Sequence, residues 1–278
     1  MTVGEVLRRS AQFLAAKGVD SPKLDAELLL ARALGKTRVE LYLDYARPLT
    51  RDELQTYRVL ILRRGRREPL AYILGEWGFR RLTLSTDRRA LVPRPETEVV
   101  VERCLELLRG LERPNVLDVG VGSGAIALAI ADEHQGARVT AIDSSGDALA
   151  LALENAERTG LAERVRFREV DLHVGLGRSE YDLVVSNPPY VTAEELESLQ
   201  PEIRDWEPRE ALVGDGTTEA VARGALDALR PRGWLVLETA DGKAFEVAAL
   251  LEGLGYDAIR MTADLTERDR VVEGQKRE

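Results

Sequence analysis

The sequence of residues 116–124 is Val-Leu-Asp-Val-Gly-Val-Gly-Ser-Gly, in which four residues typical of a buried strand lead into a loop with glycine at every second position. Glycine allows the backbone to approach a ligand closely, and the amide groups at the start of a following helix favour negative charge. Asp143 ends the next predicted strand, nineteen residues after Gly124. A carboxylate there can accept hydrogen bonds from both hydroxyl groups of a ribose. The stretch therefore predicts a cofactor that contains a nucleoside.

Two cofactors, NAD and S-adenosylmethionine, fit a glycine loop of this kind. The loop has the spacing Gly-x-Gly-x-Gly, whereas the dinucleotide fingerprint is Gly-x-Gly-x-x-Gly. Asp118, just before the loop, would repel a pyrophosphate but suits a sulfonium and its ammonium group. Asp171 ends the third predicted strand and can accept a hydrogen bond from an adenine amino group. We therefore predict S-adenosylmethionine. The loop residues expected to contact it are Gly120, Val121, Gly122, Ser123 and Gly124.

Strand and helix patterns alternate from residue 115 to the end of the chain. Short apolar runs predict strands, and the segments between them predict helices. The strands are expected at residues 116–119, 139–143, 165–170, 183–186, 234–239, 258–261 and 270–273. Such alternation predicts an α/β fold with a mostly parallel sheet covered by helices on both faces.

The first part of the chain has a different pattern. Capping boxes of the form Thr-x-x-Glu begin predicted helices at Thr2, Thr37 and Thr50. Glycine and aromatic residues near position 77 then indicate two short strands. We expect a helical domain over residues 1–74, a β-hairpin linker over residues 75–90 and an α/β domain over residues 91–278.

Residues 187–190, Asn-Pro-Pro-Tyr, follow an apolar run that predicts a buried parallel strand. Asn187 can accept a hydrogen bond through its side-chain oxygen and donate through its amide. Pro188 and Pro189 fix the backbone and leave carbonyl groups free for a ligand, and Tyr190 offers a flat face for stacking. These groups can grip a planar NH2 group, which is the task of an enzyme that methylates an amide or an exocyclic amine. Taken alone, the four residues could equally form a proline-stiffened turn.

Together these motifs resemble the release factor glutamine methyltransferases, the HemK/PrmC family. The resemblance covers nearly the whole chain. It rests on the stretches 68–76, 91–98, 118–128, 185–190 and 268–272. The first two, Glu-Pro-Leu-Ala-Tyr-Ile-Leu-Gly-Glu and Leu-Val-Pro-Arg-Pro-Glu-Thr-Glu, are far more particular to this family than Asn-Pro-Pro-Tyr, which is shared with DNA adenine and rRNA guanine methyltransferases.

The resemblance implies a class I S-adenosylmethionine-dependent methyltransferase, Rossmann-like with a seven-stranded sheet, preceded by a helical domain that recognises the release factor. The implied reaction methylates N5 of the glutamine in the Gly-Gly-Gln motif of bacterial peptide chain release factors. By position, the loop 120–124, Asp143 and Leu172 would contact the cofactor. Asn187 would contact the cofactor and the glutamine, while Pro188 and Tyr190 would hold the glutamine.

Two departures from the family pattern concern the surroundings of the reacting centre. Leu172 stands where family members often carry an aromatic residue against the adenine. A leucine in this place would weaken the stacking on the adenine ring. Residues 214–219, Gly-Asp-Gly-Thr-Thr-Glu, replace the usual Gly-Gly-x-Asp-Gly-Leu, which leaves the role of that loop open.

The net charge of −9 is distributed unevenly along the 278 residues. Residues 1–90 carry 18 Lys and Arg against 11 Asp and Glu, and the remainder carries 21 against 37. A basic front part suggests a charged partner, although a solvated arginine-rich surface explains it equally well. If the basic part binds nucleic acid, the alternative function is N-methylation of an exocyclic amine of RNA or DNA. Against this alternative, the acidic residues 91–278 would repel a duplex. A non-catalytic S-adenosylmethionine-binding regulator is a third interpretation.

The amino-acid composition argues against disulfides, metal sites and membrane spans. Cys104 is the only cysteine, so an internal disulfide is excluded and a cytoplasmic location is expected. With two histidines in the chain, we expect no metal site. The sequence lacks an apolar run of about 18 residues, so no membrane span is expected. We expect a monomer whose partners are release factors, without direct binding to nucleic acid.

Overall fold

The computed structural model describes residues 1–172, 175–178 and 181–278. The chain forms two compact units, one of residues 1–75 and 200–206, the other of residues 76–199 and 207–278. These units differ from the predicted boundaries in two respects. The hairpin expected as a linker belongs to the second unit, and a short segment near residue 200 returns to the first. The functional domain boundaries at residues 74 and 90 stay predictions.

The first unit is helical, as the capping boxes indicate. Its helices are α1 (Val3–Ala16), α2 (Pro22–Leu34), α3 (Arg38–Leu43), α4 (Arg51–Gly65) and α5 (Leu70–Leu74). The predicted capping boxes at Thr2, Thr37 and Thr50 are all present, each with the threonine accepting from the third amide of its helix and the glutamate accepting in return. The apolar faces of the helices meet in a core that includes Leu14, Leu30 and Leu41, all fully buried.

A buried ionic network holds the returning segment to the first unit. The guanidinium of Arg64 donates to Asp25 at 2.7 Å and to Glu202 at 2.7 Å. Arg67 donates to the same Glu202 carboxylate through two nitrogens, the first at 2.6 Å. Because a buried carboxylate without a cation is strongly unfavourable, Glu202 anchors the segment 200–206 to α4 and to the turn that follows it.

The second unit contains a two-stranded hairpin and a seven-stranded sheet. The hairpin strands are β1 (Glu76–Phe79) and β2 (Leu82–Ser85). The sheet strands are β3 (Asn115–Val119), β4 (Arg138–Asp143), β5 (Val165–Glu169), β6 (Tyr181–Ser186), β7 (Leu229–Glu238), β8 (Asp257–Ala263) and β9 (Asp269–Gln275). Their order is β5-β4-β3-β6-β7-β9-β8, with β9 antiparallel to β7 and to β8 and the other pairs parallel. The predicted α/β class and seven-stranded, mostly parallel sheet are confirmed.

Helices accompany the sheet on both faces. They are α6 (Thr97–Leu107), α7 (Ala125–Glu133), α8 (Gly146–Thr159), α9 (Ala193–Leu196), α11 (Thr217–Ala228) and α12 (Ala244–Leu254), while α10 (Pro201–Arg204) lies in the returning segment of the first unit. Apolar side chains form one core cluster with α6, α7 and α8 and a second with α11 and α12. None of the described helices is both long enough and apolar enough to cross a membrane.

The strand order places a crevice at the carboxyl ends of β3, β4 and β6. From β3 the chain proceeds to β4 and β5 on one side, and then to β6 and β7 on the other. The connections that leave the neighbouring strands β3 and β6 therefore run in opposite directions, which opens the space in which doubly wound sheets bind ligands. The glycine loop and Asn187 follow directly on β3 and β6, and Asp143 is the last residue of β4.

The turn that leads into β4 depends on Gly136. A Cβ atom at this residue would lie 1.7 Å from the backbone oxygen of Glu112. We expect Gly136→Ala to lower the free energy of unfolding by at least ~2 kcal/mol, because the backbone has to shift to relieve the overlap. Urea denaturation followed by circular dichroism measures the change.

Gly253→Ala is the matched control for that experiment. Gly253 lies within α12 and a Cβ atom there meets nothing within 4 Å. We expect this substitution to raise the free energy of unfolding by up to ~1 kcal/mol, because alanine favours the helix. Equal effects of the two substitutions would contradict the turn geometry described for residue 136.

Candidate active site

A cavity of about 310 Å³ lies at the carboxyl ends of β3, β4 and β6. Most of the site residues predicted from the sequence line it. They are Gly120, Val121, Gly122, Ser123, Asp143, Asp171, Leu172, Asn187 and Pro189. Three predicted residues, Gly124, Pro188 and Tyr190, are not among the lining residues. Gly124 instead precedes α7 in the left-handed conformation (φ 88°), as its N-cap.

The glycine loop is held against the end of β4. The amide groups of Gly120 and Val121 both donate to the backbone oxygen of Ile142, at 2.9 and 3.0 Å. Gly120 and Gly122 have φ angles of 77° and 53°, a region that favours glycine. A Cβ atom at Gly120 would meet nothing within 4 Å. The loop therefore needs glycine at residue 120 for its backbone conformation, and it leaves open space for a ligand.

Asp143 orders the loop as well as lining the cavity. Its Oδ2 accepts from the amide of Gly122 at 3.0 Å, and its Oδ1 accepts from the amide of Ser145 at 2.9 Å. Each carboxylate oxygen has a second lone pair, so both can still accept from a ligand. This carboxylate can bind a pair of hydroxyl groups in a fixed orientation.

Asp118 lies beneath the loop and not in the cavity wall. Its Oδ2 accepts from the amide of Ala127 at 3.0 Å in the first turn of α7. Its Oδ1 has no hydrogen-bond partner among the described residues, and the side chain is almost fully buried. Burial raises the pKa of Asp118 to about 7, with a smaller contribution from the charge of Asp143. The expectation that Asp118 faces a sulfonium directly is therefore not met, because its carboxylate points back under α7.

The Asn-Pro-Pro-Tyr segment begins where β6 ends. The Nδ2 atom of Asn187 donates to Oγ1 of Thr97 at 3.4 Å. Pro189 lines the cavity, and the side chain of Tyr190 is 37% exposed. The cavity is thus bordered on one side by the glycine loop and on the other by an asparagine amide with polar neighbours.

The start of the loop 214–219 packs against this segment. The amide of Val191 donates to the backbone oxygen of Leu212 at 3.0 Å, and the amide of Gly214 donates to that of Val191 at 3.3 Å. A Cβ atom at Gly214 would lie 2.4 Å from the backbone oxygen of Pro189. Glycine at residue 214 is therefore required for the close approach of two backbones.

Three polar residues beside the cavity were missed as site residues by sequence reasoning. Thr97 and Arg94 line the cavity, and Arg94 donates to the buried Glu207 at 2.6 Å. Glu238 ends β7, the strand next to β6. Thr97 and Arg94 lie in the stretch 91–98, which the family resemblance had already marked. Glu238 gave no such signal, because the sequence predicted that its strand ends one residue later, at Thr239.

On the other side of the cavity, Leu172 and Asp171 follow β5. Leu172 is partly buried and packs against the core cluster of α11 and α12. Its aliphatic side chain presents an apolar surface where the family resemblance implies an aromatic ring. Asp171 is exposed and lines the cavity. Both residues lie where a planar group bound near Asp143 would reach them.

Comparison with known proteins gives a consistent assignment. The model of the PrmC N-terminal domain matches residues 5–75, and that of the methyltransferase small domain matches residues 97–238. The chain is 42% identical to the release factor glutamine methyltransferase of Geobacter sulfurreducens, covering 99% of this chain and 96% of that protein. It is 43% identical to the enzyme of the same name from Chlorobaculum tepidum, covering 97% and 95%.

A solved structure supports the fold. The catalytic domain of hMettl16, in complex with the MAT2A 3′UTR hairpin 6, matches with a TM-score of 0.58 and 17% identity. The match covers 71% of this chain and 76% of that chain. At this identity the similarity concerns the fold alone.

The buried carboxyl of Asp118 predicts a pH-dependent stability. Because the pKa of Asp118 in the folded state lies near 7, above the 3.8 usual for an aspartate, the native state keeps a proton that the unfolded state releases between about pH 4 and 7. The stabilisation is complete below pH 4 and is lost as the pH rises to about 7. Asp118→Asn keeps the acceptor for Ala127 and removes this loss. We expect the variant to gain stability over the wild type by a few kcal/mol, at most ~4, across that range.

The measurement is the free energy of unfolding by urea at several pH values, for the wild type, Asp118→Asn and the control Asp241→Asn. Asp241 is exposed, so its substitution removes a carboxylate without relieving burial. A difference between Asp118→Asn and the wild type that stays constant from pH 4 to 8 would contradict the buried state of this carboxyl.

Proposed function

This chain belongs to the release factor glutamine methyltransferase family, and from that membership we propose that it transfers a methyl group from S-adenosylmethionine to a glutamine side chain of peptide chain release factors. The acceptor that the family resemblance implies is the glutamine of the Gly-Gly-Gln motif. One observation carries the proposal. A single cavity joins the glycine loop and Asp143 to the amide of Asn187, so a cofactor and a planar amide can meet there.

The residues of the cavity fit S-adenosylmethionine. The volume of about 310 Å³ lies at the lower end of the ~300–1,000 Å³ usual for small-molecule sites. Gly120 and Gly122 provide backbone without side chains, and Asp143 supplies two oxygens for the ribose. Asp171 and Leu172 would lie against the adenine. When bound, the cofactor supplies an electrophilic methyl group on a sulfonium.

The residues after β6 would orient the side-chain amide of the glutamine for methyl transfer. An amide nitrogen is a weak nucleophile, since its lone pair is delocalised into the carbonyl group. Oδ1 of Asn187 and the backbone oxygen of Pro188 would accept the two hydrogens of the NH2 group, while Tyr190 would stack on the amide plane. Fixed orientation can contribute roughly 7–11 kcal/mol in favourable cases, and preorganised dipoles stabilise the positive charge that develops on nitrogen. The methylated nitrogen then becomes acidic and loses its proton to solvent.

We also propose that residues 1–74 recognise the release factor and that the chain acts in the cytoplasm as a monomer without binding nucleic acid. The helical unit contributes no residue to the cavity, which supports a role outside the chemistry. Cys104, the one cysteine, is buried and unpaired, as suits a reducing compartment. The acidic balance of residues 91–278 opposes the binding of a duplex.

Mass spectrometry of a co-expressed release factor tests the reaction. We expect one added methyl group, about 14 Da, on the glutamine of Gly-Gly-Gln, because Asn187 would hold that side chain toward the methyl group of the cofactor. A release factor with this glutamine replaced by alanine is the substrate control. Incubation of the enzyme with labelled cofactor and RNA distinguishes the alternative. Label in RNA with none in release factor would overturn the proposal.

The ribose contact predicts the effect of Asp143→Ala on cofactor affinity. The substitution removes a charged acceptor, so S-adenosylmethionine binding should weaken by about 1.5–3 kcal/mol. Some of this loss would come from the loop, because Asp143 also accepts from the amide of Gly122. Calorimetric titration measures the dissociation constant. Asp147→Asn, an exposed neighbour in α8, is the control, and an Asp143→Ala affinity equal to that of the control would refute the ribose assignment.

The substrate contact predicts the effect of Asn187→Ala. The variant lacks an acceptor for the glutamine NH2 group, and methyl transfer should slow by at least ~100-fold, the usual effect of removing one preorganised dipole. Cofactor affinity should change much less, because the glycine loop and Asp143 remain. Single-turnover transfer at saturating cofactor, with a separate dissociation constant, resolves the two effects. Transfer at nearly the wild-type rate would reduce Asn-Pro-Pro-Tyr to a stiff turn.

A further inference from the structure

Glu238 is a buried carboxyl group next to the asparagine of the site. It ends β7, and because Ser186 of β6 pairs with Leu237, the next residues along the two parallel strands are Asn187 and Glu238. The residue is 3% exposed, and hydrogen bonding to Thr97 and Asn187 favours its charged form. Its Oε2 has no partner among the described residues. The proposed mechanism gives this costly group no role.

The side-chain amide of Asn187 can adopt two orientations, and a charged neighbour can select one of them. The oxygen and nitrogen ends of the group are similar in size but opposite in hydrogen bonding. To accept from a glutamine NH2 group, Asn187 has to turn Oδ1 toward the cavity and Nδ2 away from it. Nδ2 meets Oγ1 of Thr97, and a threonine hydroxyl that accepts from Nδ2 can donate its own proton to Glu238.

We propose that Glu238 and Thr97 are positioning residues that bind Nδ2 of Asn187 and thereby hold its Oδ1 toward the substrate amide. This inference rests on the proposed function for its substrate, but the orientation of Asn187 is a property of the protein alone. An ionised carboxylate can only accept hydrogen bonds, so it binds the nitrogen end of the asparagine amide and not the oxygen end. Replacing Thr97 by a residue that cannot accept, or Glu238 by one that can also donate, allows the amide to turn over.

The protonation state of Glu238 then controls the orientation. Burial raises its pKa to about 7; the charge of Glu96 adds to the shift, and the hydrogen bonds of Thr97 and Asn187 and the charge of Arg270 oppose it. Tyr190 and Arg94 are the other titratable groups of this cluster, and Arg270 is itself paired with Asp264 at 3.0 Å. Below pH 7 the protonated carboxyl can donate to Oδ1 of Asn187 and compete with the substrate. Methyl transfer should therefore rise with pH through about 7.

The test uses two substitution pairs in the full-length protein. Glu238→Gln is isosteric but cannot ionise, whereas Glu238→Asp keeps the charge. Thr97→Val removes the hydroxyl at constant shape, whereas Thr97→Ser keeps it. We expect Glu238→Gln and Thr97→Val each to lower the single-turnover rate at pH 8 by about tenfold, the scale of one lost hydrogen bond. Thr97→Ser should stay within about threefold of the wild type, and the cofactor dissociation constant should stay within about threefold for Thr97→Val and Thr97→Ser.

Two readouts separate positioning from a merely structural role. The rate of the wild type should rise with pH between 6 and 8 with a midpoint near 7, as should that of Glu238→Asp, whereas Glu238→Gln should be flat. In the protein without cofactor or substrate, the side-chain amide signals of Asn187 in a ¹H–¹⁵N spectrum should titrate with the same midpoint. They are assigned by their disappearance in Asn187→Ala, and in Glu238→Gln they should not move.

The outcomes distinguish this inference from the proposed function. If Asn187 signals are independent of pH in the wild type, or if Thr97→Val transfers as fast as Thr97→Ser, the positioning role is refuted even when release factor is methylated. If the signals titrate as expected but release factor gains no methyl group, the positioning role stands and the proposed substrate fails. The Thr97 pair decides the question if Glu238→Gln does not fold.

Discussion

The amide groups of Gly120 and Val121 share one acceptor, the backbone oxygen of Ile142, and the geometry of the cavity depends on this contact. This contact ties the loop after β3 to the end of β4. The residue after Ile142 is Asp143, which therefore lies directly beside the loop. The carboxylate of Asp143 adds a second link, because it accepts a hydrogen bond from the amide of Gly122. Two adjacent parallel strands are thereby locked at their carboxyl ends. A ligand that binds one is already positioned against the other.

Two carboxyl groups beside the cavity, one under the glycine loop and one next to Asn187, are buried at some cost. Asp118 and Glu238 each have a pKa near 7 because burial disfavours their charged forms, and each has one oxygen without a partner among the described residues. At neutral pH such groups lower the stability of the fold. Their position next to the glycine loop and next to Asn187 indicates that the site retains them for orientation and charge. Active sites often contain groups that function requires although they lower the stability of the fold.

The sequence predicted the parts of the site that depend on local spacing. Asp143 was found by its distance from Gly124, and Asn187 by the strand before it, because the ends of parallel strands share one edge of a sheet. Glu238 was missed because its strand was expected to end one residue later, at Thr239, and because pairing between β6 and β7 leaves no mark in either segment. The return of residues 200–206 to the helical unit was also missed. It depends on Arg64 and Glu202, which are 138 residues apart.

The proposed reaction depends on the orientation of Asn187 between its buried neighbours and a glutamine. A crystal structure with S-adenosylhomocysteine and a glutamine-containing release factor peptide measures this directly. We expect the glutamine nitrogen within ~2.7–3.2 Å of Oδ1 of Asn187 and of the backbone oxygen of Pro188, with Nδ2 directed to Thr97 and Glu238. A glutamine bound with its carbonyl oxygen toward Asn187, or away from residues 187–190 altogether, would contradict it.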